Sequence, residues 1–283
     1  MSDIYNTGSY IKTSTLNAIR ITSLKKLPLF LENEITYLND KYKNITTLKR
    51  VFTHIRNELK QTDITVKKIN LCLSYYKLDT KQQGWFKKYT ARTLTTKRQE
   101  LTIIKDPLAI VKQLTKLLHS QHKIELLIAI AGLTGRRVAE VACTANFKPH
   151  GEDTLLFSGQ LKTKGRIDVE TFIIPCLAPA IDILKAHTKL KNILGDIDPE
   201  KFHNTYSRSI SVVYHNHFEK FYDIPHQVKD LRAFYAEFCF LIHQPLVAKT
   251  RYFSQILGHD DEDNITGTHY ERFRMTTSPS SIH

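Results

Sequence analysis

Apolar residues recur at intervals of three and four through much of this chain, the spacing that places them on one face of an α-helix. The clearest example in the first hundred residues is a stripe of five side chains: Leu48, Val51, Phe52, Ile55 and Leu59. The same spacing predicts further helices over residues 106–118, 123–133, 137–142, 178–194, 207–222, 227–243 and 247–257.

Two short segments instead have the composition of β-strands. Residues 154–158 and 169–174 are rich in β-branched and aromatic side chains, and Pro175 ends the second segment. The basic turn Gln160–Arg166, which contains Gly165, would join them as a hairpin. The pattern therefore predicts a mainly α fold with a small β-hairpin or sheet in its second half.

The polar, threonine-rich stretch Thr93–Lys105 is typical of a linker between domains. A length of 283 residues is sufficient for two ordinary domains. We therefore predict a helical module over residues 1–100 and a second domain over residues 101–283.

The charge balance indicates a polyanionic partner. Lysine and arginine number 41 against 28 aspartate and glutamate, a formal net charge of +13. In the first module, basic residues surround the aromatic side chains Trp85, Phe86 and Tyr89, which predicts contact with a DNA backbone, although packing into the core is an alternative for each aromatic. The basic residues with the best claim to DNA contact there are Lys87, Lys88 and Arg92. A solvated basic face and an anionic lipid surface are weaker interpretations.

Several classes of protein are disfavoured. The four cysteines are far apart, which indicates reduced thiols rather than a zinc site or disulfides: Cys72, Cys143, Cys176 and Cys239. No phosphate-binding loop, dinucleotide fingerprint or HExxH motif is present. The acidic run Asp260–Asp263 is interpreted as a solvated turn. We expect no metal or cofactor, no signal peptide, no membrane segment and a cytoplasmic location.

Six polar side chains of the second half suit a single phosphate-handling site: Arg137, Lys162, Lys229, Arg232, His259 and Tyr270. Four cations and an imidazole can bind a phosphate, and a phenol can attack it. Arg137 follows Gly135 near a helix start, where free backbone N–H groups favour an anion. Each of the six alone is weak evidence.

The other members of the set have local arguments of similar strength. Lys162 lies in the predicted hairpin turn, where Lys164 and Arg166 compete for the same role. Lys229 and Arg232 are three residues apart on a predicted helix and are expected to share a face. His259 follows Gly258, which is expected to end a helix, and Tyr270 comes eleven residues later.

In order, these local sequences resemble the catalytic domain of the tyrosine recombinase superfamily over about residues 106–275. The matching elements are Thr134-Gly135-x-Arg137-x-x-Glu140, a hairpin lysine, Leu231-Arg232, Leu257-Gly258-His259 and Tyr270. Lys229 occupies a position where most members carry histidine. That lysine, the Arg136-Arg137 pair and Phe157-Ser158-Gly159-Gln160-x-Lys162-Thr163 resemble the telomere resolvases, or protelomerases, whose members are generally longer.

This resemblance implies metal- and ATP-independent transesterification of double-stranded DNA. Tyr270 would form a 3′-phosphotyrosyl link, and Lys162 would protonate the departing 5′-oxygen. Charge in the transition state would be stabilised by Arg137, Arg232, Lys229 and His259. A homodimer on an inverted-repeat site would leave covalently closed hairpin ends. Further DNA contacts are expected from Arg136, Lys164 and Arg166.

Three alternatives stay open from the sequence. A site-specific integrase would use the same residues to exchange strands through a four-subunit junction. A DNA-binding protein with a decayed site would bind without cutting. A basic protein without any DNA partner would do neither.

Overall fold

The computed structural model of the chain describes residues 14–99, 101–161, 171–223, 226–258 and 270–275, without the side chains of 93–99. The chain divides into two units, one up to Thr96 and one from Lys97. The first unit contains α1 (Leu16–Ile21), α2 (Leu27–Lys41), α3 (Ile45–Lys60) and α4 (Val66–Tyr75). Helix α5 (Thr80–Gln99) begins in the first unit and ends shortly after the boundary.

Helix α3 shows how the first unit acquires its core. Asn44 caps the helix by accepting hydrogen bonds from the backbone N–H groups of Thr46 (2.9 Å) and Thr47 (3.2 Å). The predicted apolar stripe from Leu48 to Leu59 is fully buried. Its burial confirms the helical spacing as the signal that builds this unit.

The aromatic residues of α5 divide between the two interpretations that the sequence allows. Phe86 packs on the core of the first unit. Trp85 and Tyr89 are 55% and 45% exposed, so the core alternative is wrong for these two.

The predicted linker Thr93–Lys105 is a correction, because regular structure occupies most of it. Helix α5 continues to Gln99, since neither glycine nor proline interrupts the chain after Gly84. Strand β1 (Thr102–Ile104) follows and pairs in parallel with strand β5 (Phe273–Met275). A strand whose partner lies at the far end of the chain has no local sequence signal.

The second unit is built around one helix that is apolar on every side. Its α-helices are α6 (Pro107–Leu117), α7 (Lys123–Thr134), α8 (Ala180–Leu194), α9 (Pro199–Phe218), α10 (Leu231–His243) and α11 (Lys249–Leu257). Helix α7 is buried from Ile124 to Thr134 except at Glu125, and it contacts α6, α8, α9 and α10. It therefore holds the surrounding helices in place.

A three-stranded antiparallel sheet joins β2 (Asn146–Pro149), β3 (Thr154–Ser158) and β4 (Phe172–Pro175). Phe157 of β3 lies opposite Phe147 and Phe172 in the neighbouring strands. Strand β2 was not predicted, because only Phe147 of its four residues is buried. The prediction of a mainly α fold with a small sheet is confirmed.

The described part of the second unit departs from the predicted helix 227–243 at its start. Residues Val228–Asp230 form a 3₁₀ turn, and the α-helix begins only at Leu231. A reciprocal cap between Gln227 and Asp230 explains the change, because each side chain accepts a hydrogen bond from the other's backbone. A short π-helical turn, Glu140–Thr144, similarly follows the predicted helix start at Arg137.

Among the described helices, none has the length and apolar composition that crossing a bilayer requires. The four cysteines are free, and Cys72, Cys176 and Cys239 are buried. Burial raises the pKa of the Cys72 thiol to about 11, so this thiol stays protonated at neutral pH.

Candidate active site

The site begins where α7 ends, at a turn that only glycine fits. Gly135 has a φ of +66° in the left-handed region, and a Cβ added there would lie 2.2 Å from Cδ1 of Tyr235. The Tyr235 hydroxyl donates a hydrogen bond to the carbonyl oxygen of Pro175 (2.7 Å), which fixes the ring. The next two residues lie in different environments: Arg136 is buried and Arg137 is half-buried.

Arg137 is held by a buried carboxylate. Glu140 has no exposed side-chain surface, accepts a hydrogen bond from the backbone N–H of Arg137 (3.0 Å) and forms an ion pair with the Arg137 guanidinium. Burial alone would raise the pKa of Glu140, but the positive charges of Arg232, Arg137 and Arg136 lower it below its ordinary value. The Arg137 side chain keeps 27% of its surface exposed, so it can still meet a ligand.

Arg232 joins three of the predicted local sequences. Its guanidinium donates to the carbonyl oxygens of Gly135 and Leu257, the latter at 2.8 Å, and its Nε donates to the Tyr270 hydroxyl at 3.2 Å. The residue is 5% exposed. Contacts with three separate segments hold Arg232 in the first turn of α10. They bring the predicted nucleophile, Tyr270, to the arginine cluster.

The environment of Tyr270 favours the phenolate. Burial alone would raise the pKa of Tyr270, but the charge of Arg232 and its hydrogen bond, with smaller effects from Arg137 and Arg136, lower it below the ordinary value. The Arg232 guanidinium carbon also lies 5.6 Å from the centre of the Tyr270 ring. Both effects prepare an oxygen nucleophile beside cations.

Two residues that were not predicted for the site fix the segment around Tyr270. Arg272 forms an ion pair with Asp230, whose second oxygen accepts from the backbone N–H of Gln227 (2.9 Å). The carbonyl oxygen of Arg272 accepts a hydrogen bond from Thr102 N–H (2.9 Å) where β1 pairs with β5. Asp230 could have been suspected because it lies two residues before the predicted Arg232. That spacing does not identify Arg272 as its partner.

Lys162 and His259 lie outside the described residues, as do Lys164 and Arg166. The chain segments that precede Lys162 and His259 are nevertheless hydrogen-bonded to each other. Gln160 donates from Nε2 to the carbonyl oxygens of Gly258 (2.9 Å) and Leu257 (3.3 Å). Gly159 passes so close to Thr144 that an added Cβ would meet its carbonyl oxygen at 2.0 Å. Their roles stay predictions.

Arg136 corrects one sequence expectation. It was predicted to contact DNA, but it is 2% exposed and donates to the carbonyl oxygens of Thr134 (3.2 Å) and Ile256 (2.5 Å). Its guanidinium carbon lies 4.8 Å from the ring centre of Phe157 and 5.2 Å from that of Phe172. Burial, together with the charge of Arg232, lowers its pKa to about 9. Arg136 therefore contacts the interior of the second unit and does not present its charge on the surface of the site.

Lys229 and Arg232 differ in exposure. Lys229 is exposed on the 3₁₀ turn that leads into α10, whereas Arg232 is buried in the first turn of that helix. That the two cations share a face stays a prediction. An exposed Lys229 is still available to a ligand.

The predicted DNA contacts of the first unit are on α5. Lys87, Lys88 and Arg92 are all exposed, which is compatible with that role. Within the described ranges no group of three or more histidine, cysteine, aspartate or glutamate side chains has the arrangement of a metal site.

Comparison with known proteins places this arrangement in context. The model of the telomere resolvase ResT/TelK catalytic domain matches residues 102–273. The chain is 26% identical over 169 residues to the protelomerase of Escherichia phage N15, covering 53% of this chain and 26% of that protein. It is 29% identical over 177 residues to the protelomerase of Yersinia phage PY54, covering 53% of this chain and 27% of that protein. The matched part is therefore about a quarter of each curated relative.

Solved structures share the fold. Protelomerase TelA covalently complexed with substrate DNA superimposes with a TM-score of 0.79 at 22% identity, covering 90% of this chain and 84% of that chain. A mutant of the same protein complexed with a DNA hairpin product gives a TM-score of 0.78 at 22% identity, with the same two coverages.

Proposed function

Because the chain belongs to the telomere resolvase ResT/TelK catalytic-domain family, we propose that it is a telomere resolvase. It cleaves double-stranded DNA at an inverted-repeat site through a 3′-phosphotyrosyl intermediate and rejoins the strands as closed hairpin ends. The observation that carries the proposal is the contact between Arg232 and Tyr270 beside the Glu140-anchored Arg137.

The first chemical step is transesterification at phosphorus. The Tyr270 oxygen forms a bond to phosphorus, the bond from phosphorus to the 5′-oxygen breaks, and the phenolic proton passes to solvent. Lys162 supplies a proton to the 5′-oxygen, giving a 5′-hydroxyl. The lowered pKa of Tyr270 supports the role of the phenol, because less free energy is needed to ionise it.

The arginines act on the charge that develops at phosphorus. The Arg137 side chain is partly exposed and its charge lowers the pKa of Tyr270, and Arg232 is already oriented by two backbone carbonyl groups. Cations fixed before the reaction need no reorganisation as the transition state forms. Lys229 and His259 complete the proposed set.

The second step reverses the chemistry on a different strand end. The 5′-hydroxyl of the folded-back strand gives its proton back to Lys162 and attacks the phosphotyrosine; the new phosphodiester bond forms, the bond from phosphorus to the Tyr270 oxygen breaks, and that oxygen takes up a proton from solvent. The number of phosphodiester bonds is conserved, so no external energy source is needed. Two copies of the chain on the two halves of the repeat would close both ends.

The test uses inverted-repeat DNA with one end labelled and a denaturing gel. We expect a covalent protein–DNA band and, from each arm of the cut duplex, a product that migrates as a single strand of twice that arm's length and snaps back on renaturation. Tyr270→Phe should retain DNA binding and form neither species. Recombinant junctions between two duplexes would instead indicate an integrase, and binding without any adduct would indicate a DNA-binding protein with an inactive site.

A further inference from the structure

Helix α5 carries an aromatic and basic surface that the catalytic chemistry does not use. Trp85 and Tyr89 stack with their ring centres 5.8 Å apart and their planes 19° from parallel. Both rings keep about half of their surface exposed. The helix has no acidic residue from Thr80 to Gln99.

The cations and the rings share one stripe of the helix. Side chains three and four residues apart lie on the same helical face. This rule groups one set of exposed residues, the α5 stripe: Lys81, Trp85, Lys88, Tyr89 and Arg92. Phe86 points elsewhere, because it packs on the core with the ammonium group of Lys49 3.8 Å from its ring centre. The exposed rings therefore contribute little to the core.

A glycine at the edge of the stripe leaves room for a ligand. Gly84 lies within the helix, four residues before Lys88, and an added Cβ would meet nothing within 4 Å. Glycine inside a helix is destabilising relative to alanine, so its presence has a cost. No packing contact explains that cost here, whereas close approach of a ligand backbone would.

We propose that the α5 stripe binds unpaired nucleobases, with Trp85 and Tyr89 as a stacking platform and the flanking cations on the phosphates. Every base has a face that stacks on aromatic rings, and alternating rings and cations are how proteins bind single strands without reading sequence. In a duplex the base faces are covered by their neighbours, so a stacking surface favours unpaired bases over paired ones. The source of such bases, strands that separate before they fold back, rests on the proposed function.

The chain provides its own reporter for this interaction, because Trp85 is its single tryptophan. The Tyr270→Phe variant is mixed with three DNA probes of equal length: a single strand, a duplex, and a strand of abasic residues with the same phosphates. We expect the single strand to quench tryptophan emission more strongly than the duplex or the abasic strand.

Variants then separate stacking from charge. Tyr89→Ala retains the reporter and should weaken single-strand binding by about 5- to 100-fold, with a smaller effect on the duplex. Lys88→Ala should weaken binding of the single strand and of the abasic strand alike. Lys60→Ala removes the same charge from an exposed position on α3 and is the matched control. Gly84→Leu should leave the fold intact, because its side chain points into open space, yet lower single-strand affinity.

Equal quenching by all three probes would overturn the proposal, because the rings would then be packing on the backbone. If no probe quenches the tryptophan emission, the proposal is overturned as well, even if the α5 stripe proves to bind a protein. Neither outcome depends on cleavage, since the variant has no nucleophile. Failure of the stacking platform is thus distinguishable from failure of the proposed resolvase activity.

Discussion

Neutralising Glu140 should be one of the most damaging single changes in the second unit. Its carboxylate is fully buried, bonds the backbone and the guanidinium of Arg137, and is near the charges of Arg136 and Arg232. Glu140→Gln has almost the same volume, so no cavity forms. Removing one partner of a buried ion pair costs about 3–5 kcal/mol, and the amide retains one hydrogen bond, so we expect a loss of about 3 kcal/mol in the free energy of unfolding.

The assay is urea denaturation monitored by circular dichroism, with the exposed Glu152→Gln as the matched control. The lowered pKa of Glu140 means that its contribution is present above the unfolded-state pKa and is lost as pH falls through the lower folded-state pKa. The stability difference between wild type and Glu140→Gln should therefore be full at pH 7 and shrink below about pH 4. Inorganic phosphate should partly rescue the variant, because it supplies the missing negative charge.

A loss below about 1 kcal/mol at pH 7, or one that does not change on acidification, would refute this reasoning. It would mean that the arginine cluster tolerates its own repulsion without a counter-charge. Glu140 would then be a hydrogen-bond acceptor and not the electrostatic anchor of the site.

Three further predictions follow from the same geometry. Gly135→Ala should destabilise the protein by about 2–5 kcal/mol in urea denaturation, since left-handed strain and overpacking against Tyr235 add; a loss under 1 kcal/mol would contradict that contact. In NMR of ring-labelled tyrosine, the Tyr270 resonance is the one that disappears in Tyr270→Phe. Its titration midpoint should lie below pH 10 and should rise in Arg232→Gln, whereas a midpoint at or above pH 10 in the wild type would reject the lowered pKa. Lys229→His should leave stability within about 0.5 kcal/mol but slow hairpin formation about a hundredfold or more; intact hairpin formation would make Lys229 a family marker without a chemical role.

The local part of the fold was predictable because local spacing encodes it. The stripe from Leu48 to Leu59 and the apolar run of α7 are buried as their patterns indicate. The pairing of β1 with β5 was not predictable, because its two strands are short and lie at opposite ends of the second unit. The linker prediction was wrong for a different reason. Threonine-rich composition indicates a loop, but residues 93–105 contain no glycine or proline that would end helix α5.

The site was predicted in its members more than in its geometry. The order of the local sequences selects Arg137, Arg232 and Tyr270, and the structure brings these three together. The order gave no indication that Arg136, next to Arg137, turns into the core, because its contacts there, with Ile256, Phe157 and Phe172, are with residues far away in sequence. The link between Asp230 and Arg272 was likewise hidden, since two residues far apart in sequence form it.

The most direct test of the central claim is to identify the amino acid that becomes attached to DNA. A substrate nicked close to the cleavage site loses the 5′-hydroxyl fragment by diffusion, which traps the covalent complex. After nuclease and protease digestion, mass spectrometry should find the remaining nucleotide on the peptide that contains Tyr270, and none in Tyr270→Phe. A nucleotide on any other residue, or an unchanged yield of adduct from Tyr270→Phe, would contradict the account.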